Sequence, residues 1–335
     1  MYIYRLSSAN NLERVEVPSP APEEGKIKIR ITKVLVGNAD ASIYTGDLKV
    51  KKPIIPGRFA VGMVAENTPL YPKNTRVLLH TYVPMPDTGT EKKDFSLDEI
   101  GVHGKTLDGF LRDFVMLSPS EFTPLPDSVP DEKALLVHHI ALAKEAVDRL
   151  GAQKGDHVMV VGANILGIFI SQLLIYQQAA PILVDGDPDR LEFARRSGVY
   201  YTMLTDENLL DNVASVTGGK LADGAIYVTE ASSVSDWAIP FSLCAREKRV
   251  VYAGTNTRGI DLSLDLAMRK ELTICGVPNG KDCLEMAINL LVSDGVDLTS
   301  FVAVKTRVED ASALLKDFTS HFEHDLNEIN FLTLL

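Results

Sequence analysis

Between Lys154 and Arg190 the chain reads KGDHVMVVGANILGIFISQLLIYQQAAPILVDGDPDR. This run of strand, glycine turn, helix and strand admits few folds besides a parallel α/β sheet. His157 to Val161 is short, β-branched and apolar, as a strand buried on both faces of a parallel sheet must be. Gly162 permits a tight turn after it, and Gly167 lets the next helix lie close against the strand. A second apolar run, Pro181 to Val184, ends in Asp185, 18 residues beyond Gly167. A helix starting at such a turn presents its first N–H groups, here those around Ile165 and Leu166, to a bound phosphate. The acid accepts hydrogen bonds from ribose hydroxyls and repels a 2′-phosphate. The expected ligand of this unit is therefore NAD(H) in preference to its phosphorylated form. In Gly162-Ala163-Asn164-Ile165-Leu166-Gly167 the middle glycine of the usual dinucleotide fingerprint is Asn164. Asn tolerates a positive φ better than most residues, so the turn is expected to survive the substitution with a slightly displaced phosphate. Arg190 completes the expected cofactor contacts of this unit.

The rest of the composition narrows the class. A chain of 335 residues is long for one core, so two domains are expected. With 45% hydrophobic and 24% charged residues it reads as a soluble globular protein. A net charge of −11 argues against nucleic acid and anionic membranes as partners. No apolar run is long enough to span a bilayer, and the start of the chain does not read as a signal peptide. Cys244, Cys275 and Cys283 are far apart and follow no metal-binding spacing, which fits a reducing, cytoplasmic setting.

Along the chain, the part before about Leu125 shows short strands and turns. Lys26 to Val36 alternates polar and apolar residues, and further runs follow at Ala60–Glu66, Arg76–His80 and Leu111–Leu117. Pro84 to Asp98 lacks periodicity and is expected to be a surface loop. Asp131 to Leu150 has helical spacing, after which strands and helices alternate: the unit above, Pro188–Ser197, Ala225–Thr229, Ser235–Ala245, Arg249–Tyr252, Leu272–Gly276 and Lys281–Ser293. A terminal strand is expected at Phe331–Leu335. That order predicts a doubly wound parallel sheet beside a β-rich domain. Thr229-Glu230-Ala231 and Gly254-Thr255-Asn256 then fall at carboxyl ends of sheet strands, where ligands bind.

Taken together, these pieces resemble the medium-chain dehydrogenase/reductase family, in its zinc-type alcohol and sorbitol dehydrogenase branch. Val36–Gly46 is similar to the segment around the family's first zinc cysteine, Pro53–Gly62 (PIIPGRFAVG) to its PxxPGHExxG element, and Leu107–Val115 to its DGGFAEY strand. Ala134–Val147 resembles the helix that carries another metal ligand, and Arg269–Gly276 the last strand of the cofactor domain. The resemblance implies a GroES-like catalytic domain at 1–130 and 281–335 and a Rossmann NAD-binding domain at 131–280. It also implies a homodimer or homotetramer in which Leu272–Gly276 pairs with a second copy.

The positions that carry the family's chemistry have changed. Gly37 stands where the family has its zinc cysteine, Arg58 and Phe59 stand in place of its His-Glu pair, and His138 falls at the third ligand position. Glycine, arginine and phenylalanine supply none of the N, S or O donors that zinc needs, so no zinc is expected. The region 80–103 lacks the four cysteines of the structural-zinc lobe. Asp40 matches an aspartate that orients the zinc-bound histidine in the family, and here it is expected to pair with the Arg58 guanidinium. The relay hydroxyl of the family is replaced by Ala39.

Without a metal, the candidates for charge stabilisation and proton movement are Arg58, His138, Tyr44, Asn38 and Asp40, with His80 close by. The substrate is expected in the cleft between the domains. Three functional expectations stand: a zinc-independent NAD(H)-dependent oxidoreductase of small polar alcohols or ketones, an enone or quinone reductase of the same family, or a non-catalytic NAD(H)-binding sensor or scaffold.

Overall fold

The alternation read in Lys26–Val36 becomes a strand whose Ile27, Ile29 and Ile31 are buried while Lys28 and Arg30 are not. It is the central strand of the first of two compact units, residues 1–135 with 301–335, the second unit being 136–300. The computed structural model describes residues 1–84, 100–229, 237–254, 264–320 and 328–334. The expected loop from Pro84, the residues Glu230, Ala231, Thr255 and Asn256, and the start of the Ser235–Ala245 helix lie outside them, Pro84 itself excepted.

The first unit opens with a hairpin of β1 (Tyr2–Ser8) and β2 (Asn11–Glu16), turned at Asn10 with φ +58°. Then come β3 (Ile27–Leu35), helix α1 (Asn38–Thr45), β4 (Phe59–Val64), β5 (Arg76–Leu79), β6 (Tyr82–Pro84), β7 (Ile100–Val102), β8 (Phe114–Leu117), β9 (Phe122–Pro124) and the short α2 (Asp131–Ala134). The hairpin and α1 were not foreseen. Gly46, in a left-handed conformation at φ +92°, ends α1. Asp131 anchors α2: it accepts from Arg76 Nε at 2.9 Å and pairs with Lys33 Nζ at 3.0 Å.

The second unit starts with α3 (Val137–Leu150), so the single helix expected over Asp131–Leu150 is divided. At the break His139 N–H donates to Leu136 O, a three-residue step that interrupts the helical ladder. There follow β10 (His157–Val161), α4 (Ile165–Tyr176), β11 (Ala180–Asp185), α5 (Pro188–Arg196), β12 (Tyr201–Leu204), α6 (Leu209–Val216), β13 (Ala222–Val228), α7 (Ile239–Leu243), β14 (Cys244–Ala253), α8 (Asp265–Arg269), β15 (Thr273–Val277) and α9 (Leu284–Val292). Its six strands run in the order β12-β11-β10-β13-β14-β15, every pair parallel. This is the doubly wound order, reversing between β10 and β13, where such sheets bind ligands at their carboxyl ends.

The chain returns to the first unit with β16 (Val302–Arg307), α10 (Ala311–Ser320) and β17 (Glu328–Thr333), and β17 pairs antiparallel with β3. The expected boundary at residue 281 is therefore too early. Residues 281–300 belong to the parallel-sheet unit because specific bonds hold them there. Gln172 on α4 exchanges two hydrogen bonds with the Asp297 backbone, at 3.0 and 3.1 Å, and Ser300 Oγ meets Ser197 Oγ at 2.8 Å. Gly280 lies so close to α3 that a Cβ there would come within 2.5 Å of Ala141 O. Each unit has its own apolar core, one around Ile29, Ile43 and Phe110 and the other around Met159, Val184 and Tyr227. Among the described residues no helix is long and apolar enough to cross a membrane.

Candidate active site

In the parallel-sheet unit the turn after β10 is built on two glycines. Gly162 has φ +107°, open to glycine and strained for other residues. At position 167 a Cβ would sit 3.0 Å from the Gly162 carbonyl carbon and closer still to its oxygen. The start of α4 can thus approach β10 only with hydrogen at that Cα.

Asn164 does not adopt the positive φ that asparagine tolerates. Its φ is −84° and its ψ −178°, extended backbone, and its side-chain Oδ1 accepts the Gly167 N–H at 3.0 Å. It is the N-cap of α4: the substitution exchanges a glycine of the fingerprint for a helix cap. Ile165, half-buried, and Leu166, buried, follow at the open end of the helix. There an α-helix leaves its first N–H groups without intrahelical acceptors.

Asp185 ends β11 with no exposure to solvent. One of its oxygens accepts from Ala163 N at 2.6 Å and the other from Asp187 N at 2.9 Å. The acid read from sequence as a ribose ligand also ties the glycine turn to the β11–α5 turn, a structural duty that sequence reading missed. Carboxylate oxygens have two lone pairs each, so acceptor capacity remains. Arg190 is buried, with Nε 3.6 Å from Asp187 Oδ2. Thr229 directly follows β13; it is buried and its Oγ1 has no hydrogen-bond partner among the described residues. Gly254 directly follows β14 with φ +121°. His138 lies in this unit too, buried in the first turn of α3.

The mixed-sheet unit holds the other candidates. Asn38, at the start of α1, is exposed. Tyr44 is a correction: its ring is part of the apolar core and its hydroxyl donates to Asn10 O at 3.4 Å, a packing role rather than a catalytic one. The expected Asp40–Arg58 pairing is corrected as well. Asp40 accepts the Gly37 N–H at 3.2 Å and the Gly57 N–H at 3.3 Å, while Arg58 Nη2 donates to Tyr82 OH at 3.0 Å. Among the described residues no hydrogen bond or ion pair joins the two side chains. Burial raises the Asp40 carboxyl to about 6 and outweighs the opposing field of Arg58 and the backbone N–H groups. His80 is bonded through Nε2 to Thr123 Oγ1 at 2.8 Å.

Sequence reading missed the loop that covers Arg58. His103 and Lys105 flank Gly104 in a stretch without periodicity, so nothing in the local pattern singles them out. His103 is buried, its Nδ1 on Asp108 O at 2.7 Å and its Nε2 without a partner among the described residues. Burial lowers its pKa, keeping the ring neutral. Nδ1 must carry the hydrogen toward the carbonyl, which leaves Nε2 as an unsatisfied acceptor.

Gly37, Arg58 and Phe59 offer no donor that zinc accepts. Among the described residues no three His, Cys, Asp or Glu side chains gather as a metal site requires.

A parallel sheet of this order, with its glycine turn and a mixed β-sheet unit, defines an α/β fold shared with alcohol dehydrogenase structures. Residues 166–293 match the model of the zinc-binding dehydrogenase family. An uncharacterized zinc-type alcohol dehydrogenase-like protein of Haemophilus influenzae is 24% identical, over 96% of each chain. The sorbitol dehydrogenase of Halalkalibacterium halodurans is 23% identical over 86% of each. Among solved structures, the short chain alcohol dehydrogenase RspB of Escherichia coli, complexed with NADH, superposes with a TM-score of 0.85. That comparison is at 18% identity and covers 100% of this chain and 99% of the other.

Proposed function

We propose that the chain is a zinc-independent, NAD(H)-dependent oxidoreductase acting on a small polar alcohol or ketone of the sugar or polyol class. The observation that carries this reading is the Gly162–Gly167 turn at the carboxyl end of β10, with Asp185 closing the neighbouring strand. The likeness to RspB, solved with NADH, supports a nicotinamide cofactor. The N–H groups of Ile165 and Leu166 would meet the pyrophosphate, and Asp185 with Arg190 the adenosine ribose. Thr229 and Gly254 would line the nicotinamide half. The nicotinamide supplies or takes up the hydride. Arg58 would stabilise charge on a substrate oxygen, and His138, a residue type that titrates near neutrality, would carry the proton. The sorbitol dehydrogenase relative favours hydroxylated substrates.

The test is calorimetric titration of metal-analysed protein with NADH and NADPH, then a screen of polyols and ketones. NADH binding without stoichiometric zinc, followed by turnover, is the expected result. Binding of neither cofactor refutes the reading. A non-catalytic NAD(H)-binding role is the second reading, favoured by Ala39 at the relay position and by the engagement of the Tyr44 hydroxyl with Asn10. NADH binding with no turnover on any panel, enones included, selects it. Pairing of a second copy along β15, an edge strand with Thr273, Ile274 and Gly276 exposed, would form the homo-oligomer; light scattering tests it.

A further inference from the structure

We propose that the crevice between α4 and α9, in the parallel-sheet unit, is a binding site for a purine base with an exocyclic amino group, separate from the dinucleotide turn.

Both helices end at this crevice. The caps are Gln177 for α4 and Ser293 for α9. Each is followed by a left-handed residue, Gln178 at φ +65° and Asp294 at φ +52°, where glycine is the usual choice. Gly295 then passes close to both helices. Its N–H donates to Leu290 O at 2.8 Å, and a Cβ there would lie 2.7 Å from Leu290 Cδ2 and 3.5 Å from Tyr176 Cε2. The space left between the helix ends is about 460 Å³, within the roughly 300–1,000 Å³ of small-molecule sites. The 12 residues of α4 put about 18 Å between the crevice and the helix start at the dinucleotide turn.

The walls select the ligand. Leu173, Tyr176, Met286, Leu290 and Val292 supply apolar surface. Tyr176 is 60% exposed, and Met286 and Val292 are 49% exposed each. Single apolar side chains on a surface are ordinary, but several around one gap form a patch that a ligand can cover. A flat aromatic ring suits it: Tyr176 offers a ring face for stacking, and the Met286 thioether makes favourable contacts with aromatic rings. Gln177 and Asn289 add carboxamides that have no hydrogen-bond partner among the described residues. A carboxamide carries donor and acceptor side by side and pairs with the amino group and ring nitrogen of adenine. A plain hydrocarbon ligand would cover these amides and leave them unpaired, which is costly. An anion finds no free cation on the wall, because Lys144 Nζ donates to Asp148 Oδ1 at 2.6 Å.

The experiment is calorimetric titration with adenosine and, separately, with AMP, on the wild type, Tyr176→Ala and Tyr176→Phe. Photolabelling with 8-azidoadenosine, located by fragment sequencing, places the bound base. The exposure of Tyr176 lets both variants fold, which an unchanged urea midpoint verifies. Label is expected within residues 173–177 or 284–293. Tyr176→Ala should weaken adenosine binding about fivefold to a hundredfold, the range of one base stacked on an aromatic side chain, and Tyr176→Phe should retain it. AMP should bind the crevice as adenosine does. Label confined to the dinucleotide turn overturns the proposal, as does adenosine affinity indifferent to Tyr176→Ala, or no adenosine binding. AMP binding tenfold tighter than adenosine at the crevice also overturns it, since that would require a free cation. NADH binding without label in the crevice removes this site and leaves the oxidoreductase reading intact. Crevice labelling that depends on Tyr176, in a protein that does not bind NADH, keeps the site and removes that reading.

Discussion

Replacing Gly167 with alanine tests the central claim about the dinucleotide turn. The added Cβ would lie 3.0 Å from the Gly162 carbonyl carbon, where ordinary carbon contacts begin at about 3.5 Å. The Gly162 oxygen is nearer still, so the start of α4 must move away from β10 by at least about half an ångström. Both partners are backbone, and no flexible side chain can yield. Overpacking of this kind costs about 1–3 kcal/mol, and an unyielding contact belongs at the upper end. Helix propensity returns ~1 kcal/mol on going from Gly to Ala, so a net loss of about 2 kcal/mol is expected. Trp237 is the single tryptophan and stacks on Tyr227 at 4.8 Å within the same unit, so its emission follows the unfolding of that unit. With a urea slope of ~3 kcal/mol/M the midpoint should fall by roughly 0.7 M. Gly276→Ala is the control: nothing lies within 4 Å of its Cβ position, and the midpoint should hold. If Gly167→Ala unfolds at the wild-type midpoint, the close approach of helix and strand does not depend on glycine and the reasoning fails.

Three further outcomes follow from the same geometry. Asn164→Ala removes the cap on the Gly167 N–H and should cost ~1 kcal/mol, while Asn164→Gly costs only a few tenths; thermal melts that rank the two equally would remove the cap from the account. Asp40 retains its proton in the folded protein up to about pH 6, against 3.8 when unfolded, so its stabilisation is complete below 3.8 and is lost as pH rises through 6. The difference corresponds to ~3 kcal/mol. Stability of Asp40→Asn relative to wild type should therefore rise between those pH values, and a flat difference curve contradicts the burial argument. The buried Cys244 thiol is pushed up to about 12, whereas Cys275 and Cys283 are half-buried; native labelling by a disulfide reagent should spare Cys244, and equal rates at all three would count against this packing.

The parallel sheet was legible because its signals are local: apolar runs of strand length, glycines at the turn, an acid at the end of the second strand. Its strand order follows from the same alternation. Residues 297–300 were not legible as part of that unit, since Gln172 and Ser197 hold them from more than a hundred residues away. Helix α1 escaped notice although Gly37 and Gly46 bracket it, because eight residues are too few for a clear period. At the site, Arg58 and Asp40 were visible as departures from a pattern, but their partners were not. Sequence placed them opposite one another, whereas the nearest donors to Asp40 are backbone N–H groups that no side-chain argument anticipates. His103 had no signal at all, because its burial comes from how closely Gly104 and Gly109 let their loop settle on Pro56 and Gly57.

The residues at the family's zinc-ligand positions make a further expectation testable. Gly37, Arg58 and Phe59 offer zinc no donor, and the Arg58 guanidinium also repels a cation placed beside it. A dication held about 5 Å from one guanidinium is opposed by roughly 7 kcal/mol at an effective dielectric constant of 20, enough to cancel much of the binding at a structural zinc site. Returning a single thiolate is therefore insufficient. Gly37→Cys alone should bind no stoichiometric zinc by elemental analysis after dialysis against the metal. Zinc should appear only when Arg58→His is added, because that change supplies a donor and removes a cation at once. Stoichiometric zinc in Gly37→Cys alone would show that the donor set, and not the charge of Arg58, decides metal binding at this position.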